Sequence, residues 1–304
     1  MLPEHFEAPP FPDHALLDSG GAEKLERFGG VTLRRPDPQA LWPRSLPSAE
    51  WEKADLAFVR ESDRGGRWHK GPRYRNTRGE PEWEVEFGEV RLLCKPTPFK
   101  HVGLFPEQAT NWQLLRDLRP HFAGPGDGAA KSPQMLNLFG YTGAASIVAA
   151  RAGYAVTHVD ASKTMLGQVR DNQRRSGLDE KAIRVLLEDA LKFAKREARR
   201  GSRYEVIFLD PPHSGRGPKG EKWQFENDIA PLLQAVSEIA AESALVVLST
   251  YAIGFSPLSL VGLLHPFEGG ELDVRELALR EEGPAQRLLP AGFCARWTRG
   301  LGEG

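Results

Sequence analysis

The residues best placed to do chemistry lie in FLDPPHSGRG, residues 208–217. Asp210-Pro211-Pro212 at the carboxyl end of an apolar strand is rigid, and proline removes backbone donors there while leaving carbonyls. A carboxylate and a carbonyl aimed into a cleft can accept both hydrogens of an exocyclic amino group, or orient a ring nitrogen toward an electrophile. His213 is placed to stack on a base or take a proton; its plainer reading is a surface histidine on a proline-stiffened turn. Beyond it, Arg216, Lys219 and Lys222 stand among glycines, which suits a mobile flap on the substrate side.

A second constellation runs through MLNLFGYTGAAS, residues 135–146. It reads as a short buried strand with Asn137 and Phe139 at its end, a glycine turn over Gly140, Tyr141, Thr142 and Gly143, and small residues opening a helix. Such a turn lets a ligand approach the main chain and meet a helix N-terminus. Asp160, closing the next strand and followed by Ala161 and Ser162, has the spacing of an acid that accepts hydrogen bonds from two ribose hydroxyls. Asp189, after LLE, is placed either to accept an adenine amino group with Ala190 packing beside the ring, or to cap the helix that follows. Both roles are compatible.

These residues need a scaffold that brings strand ends to one rim. From Met135 onward strands alternate with helices expected over residues 144–152, 162–176, 191–200, 225–240 and 257–264. That pattern predicts a parallel sheet with helices on both faces. LDVRELALR and FCARWTR read as a terminal antiparallel pair at the sheet edge. The expected class is therefore α/β, a Rossmann-like sheet of seven strands ending in an antiparallel hairpin, preceded by a smaller β-rich domain. We place the domains at 1–100 and 101–304. The first 20 residues read as an irregular lead-in, KLERFGGVTLRR and WEVEFGEVRLLCK as paired strands, and residues 124–128 (GPGDG) as a break before the sheet. A helix from Glu107, with Trp112, Leu115, Leu118 (or Arg119) and Phe122 on one face, reads as a lid on the second domain.

The 304 residues carry a formal net charge of -1, so attraction to a polyanion must be local. The run of residues 60–78 holds seven Arg and Lys against two acids. Arg67, Trp68, Lys70 and Arg73 there combine phosphate-pairing cations with an aromatic face for bases; the plainer reading is a solvated loop. Cys94 and Cys294 have no metal-ligand spacing, which fits a reducing cytoplasm and argues against a metal or a disulfide framework. The N-terminus is acidic and proline-rich, unlike a secretory signal, and no apolar run reaches the ~18 residues of a membrane span.

At LNLFGYTGAAS, VDAS, LEDA and DPPHSGRG the chain resembles class I S-adenosylmethionine (SAM)-dependent methyltransferases. It looks most like the bacterial family of large-subunit rRNA cytosine-C5 and guanine-N7 enzymes, with the segment KHVGLFPEQATNW matching that family's signature before the sheet. The resemblance implies SAM as cofactor. It implies cofactor contacts at Phe105, Gln108, Gly140, Gly143, Asp160 and Asp189, and places Asp210 and Pro211 near the transferred methyl. Asn137 departs from the Asp often found at the end of the first strand. The carbon-5 members carry a nucleophilic cysteine after the fifth strand, where this chain reads LSTYAIGFSP. Cys294 falls at a core position of the last strand. Covalent catalysis is thus not expected, which leaves a nitrogen or oxygen acceptor, and a base nitrogen of RNA, rRNA first, is the expected one.

Other functions remain to be weighed. Methylation of a protein or small molecule would leave the β-rich domain to gate the cleft, and the intact Asp160 and Asp210 argue against a catalytically silent SAM- or RNA-binding module. A dinucleotide-dependent oxidoreductase is disfavoured, because Thr142 and Ala145 stand where G-x-G-x-x-G needs glycines.

Overall fold

The computed structural model describes residues 2–62, 65–122, 132–251 and 254–301; the break expected at 124–128 lies outside them. The chain forms two compact units. One comprises residues 2–6, Thr110–Leu277 and residues 292–301, the other Glu7–Ala109 and Ala278–Ala291. The division thus falls later than residue 100, and a return segment near the C-terminus belongs to the N-terminal unit.

The larger unit carries the sheet. Its strands are β1 (Gln134–Leu138), β2 (Ala155–Asp160), β3 (Ile183–Leu187), β4 (Tyr204–Leu209), β5 (Ala240–Thr250), β6 (Glu271–Arg280) and β7 (Leu288–Arg299), the last two running on into the other unit. Between them lie helices α1 (Ala144–Arg151), α2 (Lys163–Arg175), α3 (Ala190–Arg200), α4 (Phe225–Ser237) and α5 (Pro257–Leu263). The strand order is β3-β2-β1-β4-β5-β7-β6, with a short strand, His5–Glu7, outside β6. The pairs among β1 to β5 are parallel, and β7 is antiparallel to β5. Winding reverses between β1 and β4, which opens a crevice at their carboxyl ends.

β6 and β7 lie side by side as the expected terminal pair, with β7 next to β5. Two expectations change here. The edge belongs to His5–Glu7, and a further strand, His14–Gly20, occupies residues read as an irregular lead-in. The segment from Glu107 is a 3-10 turn over Pro106–Gln108 followed by a helix over Ala109–Leu118. That helix is built into the unit and is no lid: Trp112 and Leu115 are buried, and the Leu115 carbonyl accepts the Tyr154 hydroxyl at 2.9 Å.

Strand alternation explains which side chains reach the crevice. Leu136 and Leu138 of β1 join Phe193, Ile207, Leu209, Leu232 and Val246 in one buried core, and truncating such a leucine costs about 2–5 kcal/mol. Asn137, between those leucines, must face the other way, toward α1. Ser162 and Asp189 cap α2 and α3 by accepting from the amides of Met165 and Lys192.

The N-terminal unit holds a five-stranded sheet, His14–Gly20, Glu23–Phe28, Val31–Pro36, Leu56–Ser62 and Gly65–Lys70 in that spatial order, and a hairpin of Trp83–Phe87 with Val90–Cys94. Half of the basic run read as a loop is therefore strand. Polar residues of its first strand are buried because each is answered. Asp18 accepts from the amides of Ser45 and Leu46, from the Trp51 indole at 3.0 Å and from Arg287 Nη2 at 3.0 Å. Glu281 accepts from Ser19 N at 2.8 Å and from Arg287 Nε at 3.0 Å, so the return segment is clasped to the strand. Burial would raise the Glu26 carboxyl, but Arg35 and Lys24 beside it hold it well below the usual range.

Candidate active site

The turn after β1 is built from unusual backbone. Phe139, Tyr141 and Gly143 have φ of 56°, 52° and 89°. Left-handed conformations at two aromatic residues are costly and persist only where surrounding bonds over-determine them. Gly140 N donates to the Val159 carbonyl at 3.2 Å, Gly143 N to the Gly140 carbonyl at 3.0 Å, and Tyr141 N to Asp160 Oδ2 at 3.0 Å. Asn172 of α2 donates to the Thr142 carbonyl at 2.9 Å.

Gly140 is required for space and not for its φ. A Cβ there would lie 2.3 Å from Cε1 of His158 and 3.0 Å from Nδ2 of Asn137. Beneath the turn Asn137 Nδ2 donates to Ser146 Oγ at 2.9 Å, and that hydroxyl pairs with His158 Nδ1 at 2.9 Å. All three side chains are buried, and burial pushes the His158 imidazole down to about 3. Ser146 and His158 escaped the sequence reading. The available signal was a histidine in the apolar run YAVTHVD, facing Asn137 in the β1–β2 register.

Asp160 ties the turn to β2, accepting also from Ser162 N at 2.8 Å. Burial raises its carboxyl above the usual range, opposed by the amides of Ser162, Tyr141 and Ala161. Asp189 caps α3 through Lys192 N at 2.9 Å, so its structural role is present; Ala190 is buried beside it. Leu187, in register with Asp160 at the tip of β3, is 46% exposed, a large apolar side chain on the same rim that the sequence reading passed over.

Asp210 follows β4 directly, with Pro211 buried and Pro212 and His213 exposed. The Pro212 carbonyl accepts the Trp223 indole at 2.6 Å, so it is not an acceptor waiting in the cleft. The Trp223 ring in turn lies 4.8 Å from that of Phe139, which joins the Asp-Pro-Pro segment to the glycine turn. His213 Nε2 pairs with Glu226 Oε1 at 2.7 Å on the surface. The expected mobile flap is a hairpin, Ser214–Arg216 paired with Lys222–Gln224. Buried Trp223 anchors it, and Lys192 Nζ reaches Glu221 Oε1 at 2.6 Å and holds that carboxyl down at about 2. Arg216 and Lys219 are exposed on it.

The other site residues belong to the N-terminal unit. Phe105 precedes the Pro106–Gln108 turn, its ring 5.0 Å from that of His101, and Gln108 is buried. Arg67 is exposed and pairs with Glu61 at 3.0 Å. Trp68 packs edge-on to Phe58 and donates to the Thr97 carbonyl at 2.8 Å, so its ring is partly committed. Lys70 Nζ is directed to the carbonyls of Thr77 and Gly79, and Arg73 to that of Gly30. Cys94 and Cys294 are both buried, and burial pushes the Cys94 thiol up to about 12 and raises that of Cys294. Among the described residues no group of three or more His, Cys, Asp or Glu could hold a metal, and no helix is long and apolar enough to cross a membrane.

A turn that keeps Cβ away from Gly140, an α1 N-terminus and a carboxylate at the tip of β2 suit a ligand with a carboxylate and a ribose diol, which SAM carries. A family profile described as conserved hypothetical protein 95 matches residues 125–247. The crystal structure of the SAM-dependent methyltransferase from Agrobacterium tumefaciens is 38% identical, with a TM-score of 0.88 over 98% of this chain and 94% of that one. A provisionally assigned methyltransferase complexed with SAH has a TM-score of 0.69 at 18% identity, covering 94% of this chain and 74% of that one. A provisionally assigned SAM-dependent methyltransferase from Streptococcus mutans has 0.66 at 17%, covering 93% and 75%. The last two share the fold. With the strand order of a class I enzyme and a near full-length relative at 38% identity, this chain belongs to the SAM-dependent methyltransferases.

Proposed function

We propose that this methyltransferase acts on RNA, rRNA first, and places the methyl group on a base nitrogen without covalent catalysis. SAM, when bound, supplies an electrophilic methyl on a sulfonium. The chain's own residues then have to bind, orient and exclude water. In this reading the 139–143 turn receives the methionine end and Asp160 accepts from the ribose hydroxyls. Asp189 with Ala190 meets the adenine. Asp210, beside the buried ring of Pro211, accepts a hydrogen bond from the base and turns its nitrogen lone pair toward the methyl. Arg216 and Lys219, on the hairpin that leaves this segment, supply local positive charge for phosphates, as does Arg67 in the N-terminal unit.

The observation that carries the reading is the burial of both thiols. Carbon-5 methylation of a pyrimidine needs an accessible thiolate to add to the ring, and Cys294 is enclosed at 0% exposure within β7. A nitrogen acceptor already has its lone pair. The test is label transfer from methyl-labelled SAM to rRNA lacking this modification, followed by mass spectrometry of the nucleosides. An N-methylated base, made equally well by Cys294→Ser, is the expected product. Label at a pyrimidine C5, or in protein alone, would overturn the proposal.

A further inference from the structure

The buried triad beneath Gly140 contains a polar atom that nothing in the mechanism so far uses. Among the described residues His158 Nε2 has no hydrogen-bond partner, although the residue is fully buried. Such orphans are rare and call for an explanation. The three side chains come from three elements, Asn137 from β1, Ser146 from α1 and His158 from β2. With Asn137 donating to Ser146 Oγ, the serine hydrogen is left for His158 Nδ1, and the ring proton then sits on Nε2. Were the proton on Nδ1, the ring would donate to Ser146 Oγ, and the serine hydrogen would turn to Asn137 with the amide reversed, or leave the triad for another acceptor. Which ring nitrogen is protonated therefore decides whether Asn137, Ser146 and His158 form one directed chain that ends at the imidazole. Nε2 lacks a partner in either tautomer, so its burial is a cost of placing the imidazole beneath Gly140.

We propose that His158 is a positioning residue for SAM, acting through Ser146 to fix the orientation of the Asn137 amide beneath Gly140. His158 touches no ligand in this account. It reaches the turn in two ways, by occupying the space that forbids a Cβ at Gly140 and by setting the direction of the hydrogen bonds that end at Asn137. Burial supports the assignment, because an imidazole held far below its usual pKa stays neutral and keeps one ring nitrogen able to accept. The relay also gives Asn137 a function suited to an amide. A carboxylate at 137 could not donate to Ser146, and the chain of hydrogen bonds would lose its direction.

This inference rests on the proposed placement of SAM against the 139–143 turn. The test is calorimetry of SAH binding to the full-length protein, with the thermal midpoint of each variant recorded alongside. Ser146→Ala is expected to weaken SAH about tenfold, the size of one directional hydrogen bond. His158→Asn, which keeps a hydrogen-bonding group near the position of Nδ1, should bind within about threefold of wild type. His158→Leu should match Ser146→Ala, and the Ser146→Ala/His158→Leu double variant should be no weaker than either single variant, because the relay is already broken. Should His158→Leu fail to fold, the Ser146→Ala/His158→Asn pair carries the same comparison. Additive losses, or wild-type affinity in Ser146→Ala, overturn the relay. An Asp160→Ala control separates the two ideas. Loss of SAH there with intact binding in the Ser146 variant sinks only the relay, whereas wild-type binding in Asp160→Ala sinks the placement of SAM and the relay with it.

Discussion

Residues 139–143 and residues 210–224 both follow parallel strands of the same sheet, β1 and β4, yet they are held by opposite means. The first segment is fixed from below. Its backbone takes left-handed dihedrals at Phe139 and Tyr141, its amides are spent on Val159, Gly140 and Asp160, and a buried histidine fills the space under Gly140. The second is fixed from its flanks, by the exposed His213–Glu226 and Lys192–Glu221 pairs and one buried indole. A cofactor is the same in every turnover, and a rigid cradle costs nothing in versatility. A substrate wall held by surface pairs can be re-surfaced without disturbing the cradle.

The strongest way to break that contrast is a single methyl group. Gly140→Ala places a Cβ within 2.3 Å of His158. We expect no measurable SAH binding and a loss of about 1–3 kcal/mol in urea unfolding, as overpacking requires. If the alanine variant binds SAH normally, the cradle is not rigid. Next come the two carboxylates. Asp160→Ala should remove SAH binding in calorimetry, whereas Asp210→Ala should keep the dissociation constant within about threefold while single-turnover methylation falls at least about hundredfold, the size of a lost positioning contact. Matching effects at both sites would show that the two walls do not divide the work.

Acid gives a third comparison. The His158 imidazole is depressed to about 3 in the folded chain, against 6.5 in its ordinary state. The unfolded chain therefore binds the extra proton first as pH falls, so this contribution is full above about 6.5 and is lost between there and about 3, at up to about 1.4 kcal/mol per pH unit. Urea midpoints at pH 7, 6 and 5 should fall accordingly, with a shallower slope in His158→Leu. An unchanged slope would place the acid sensitivity elsewhere, for example at His101, which is also pushed down to about 3. The smallest effect belongs to the hairpin. Gly215→Ala would set its Cβ 3.6 Å from Pro212, an ordinary contact, and Lys192→Ala removes an exposed pair. Both should leave SAH binding unchanged and lower RNA methylation by less than about fivefold, since exposed ion pairs are weak.

What the sequence revealed follows the same division. The strand-and-helix rhythm from Met135 onward, the glycine turn and Asp160 were legible because each is written locally, in periodicity or in a residue type that only one backbone shape accommodates. The relay was not, since Ser146 and His158 have meaning only once α1 and β2 are laid beside Asn137. His14–Gly20 hid for a related reason. Its Asp18 and Ser19 read as loop residues until partners more than 260 positions away are supplied. Trp68 and Arg73 suggested an open aromatic and basic surface, but carbonyls of Thr97 and Gly30 engage them, and such nearby acceptors leave no trace in composition.

The clasp of Asp18 and Ser19 by Arg287 and Glu281 has a consequence for how the chain matures. Arg287 leaves the ribosome 269 residues after Asp18, which at ordinary translation speeds is roughly 15–50 s later. Through that interval the strand His14–Gly20 carries a carboxylate whose cation does not yet exist, so one of the earliest-made strands is completed among the last. A nascent chain stalled before residue 280 should accordingly remain open to protease at 14–20 until the final strands are released.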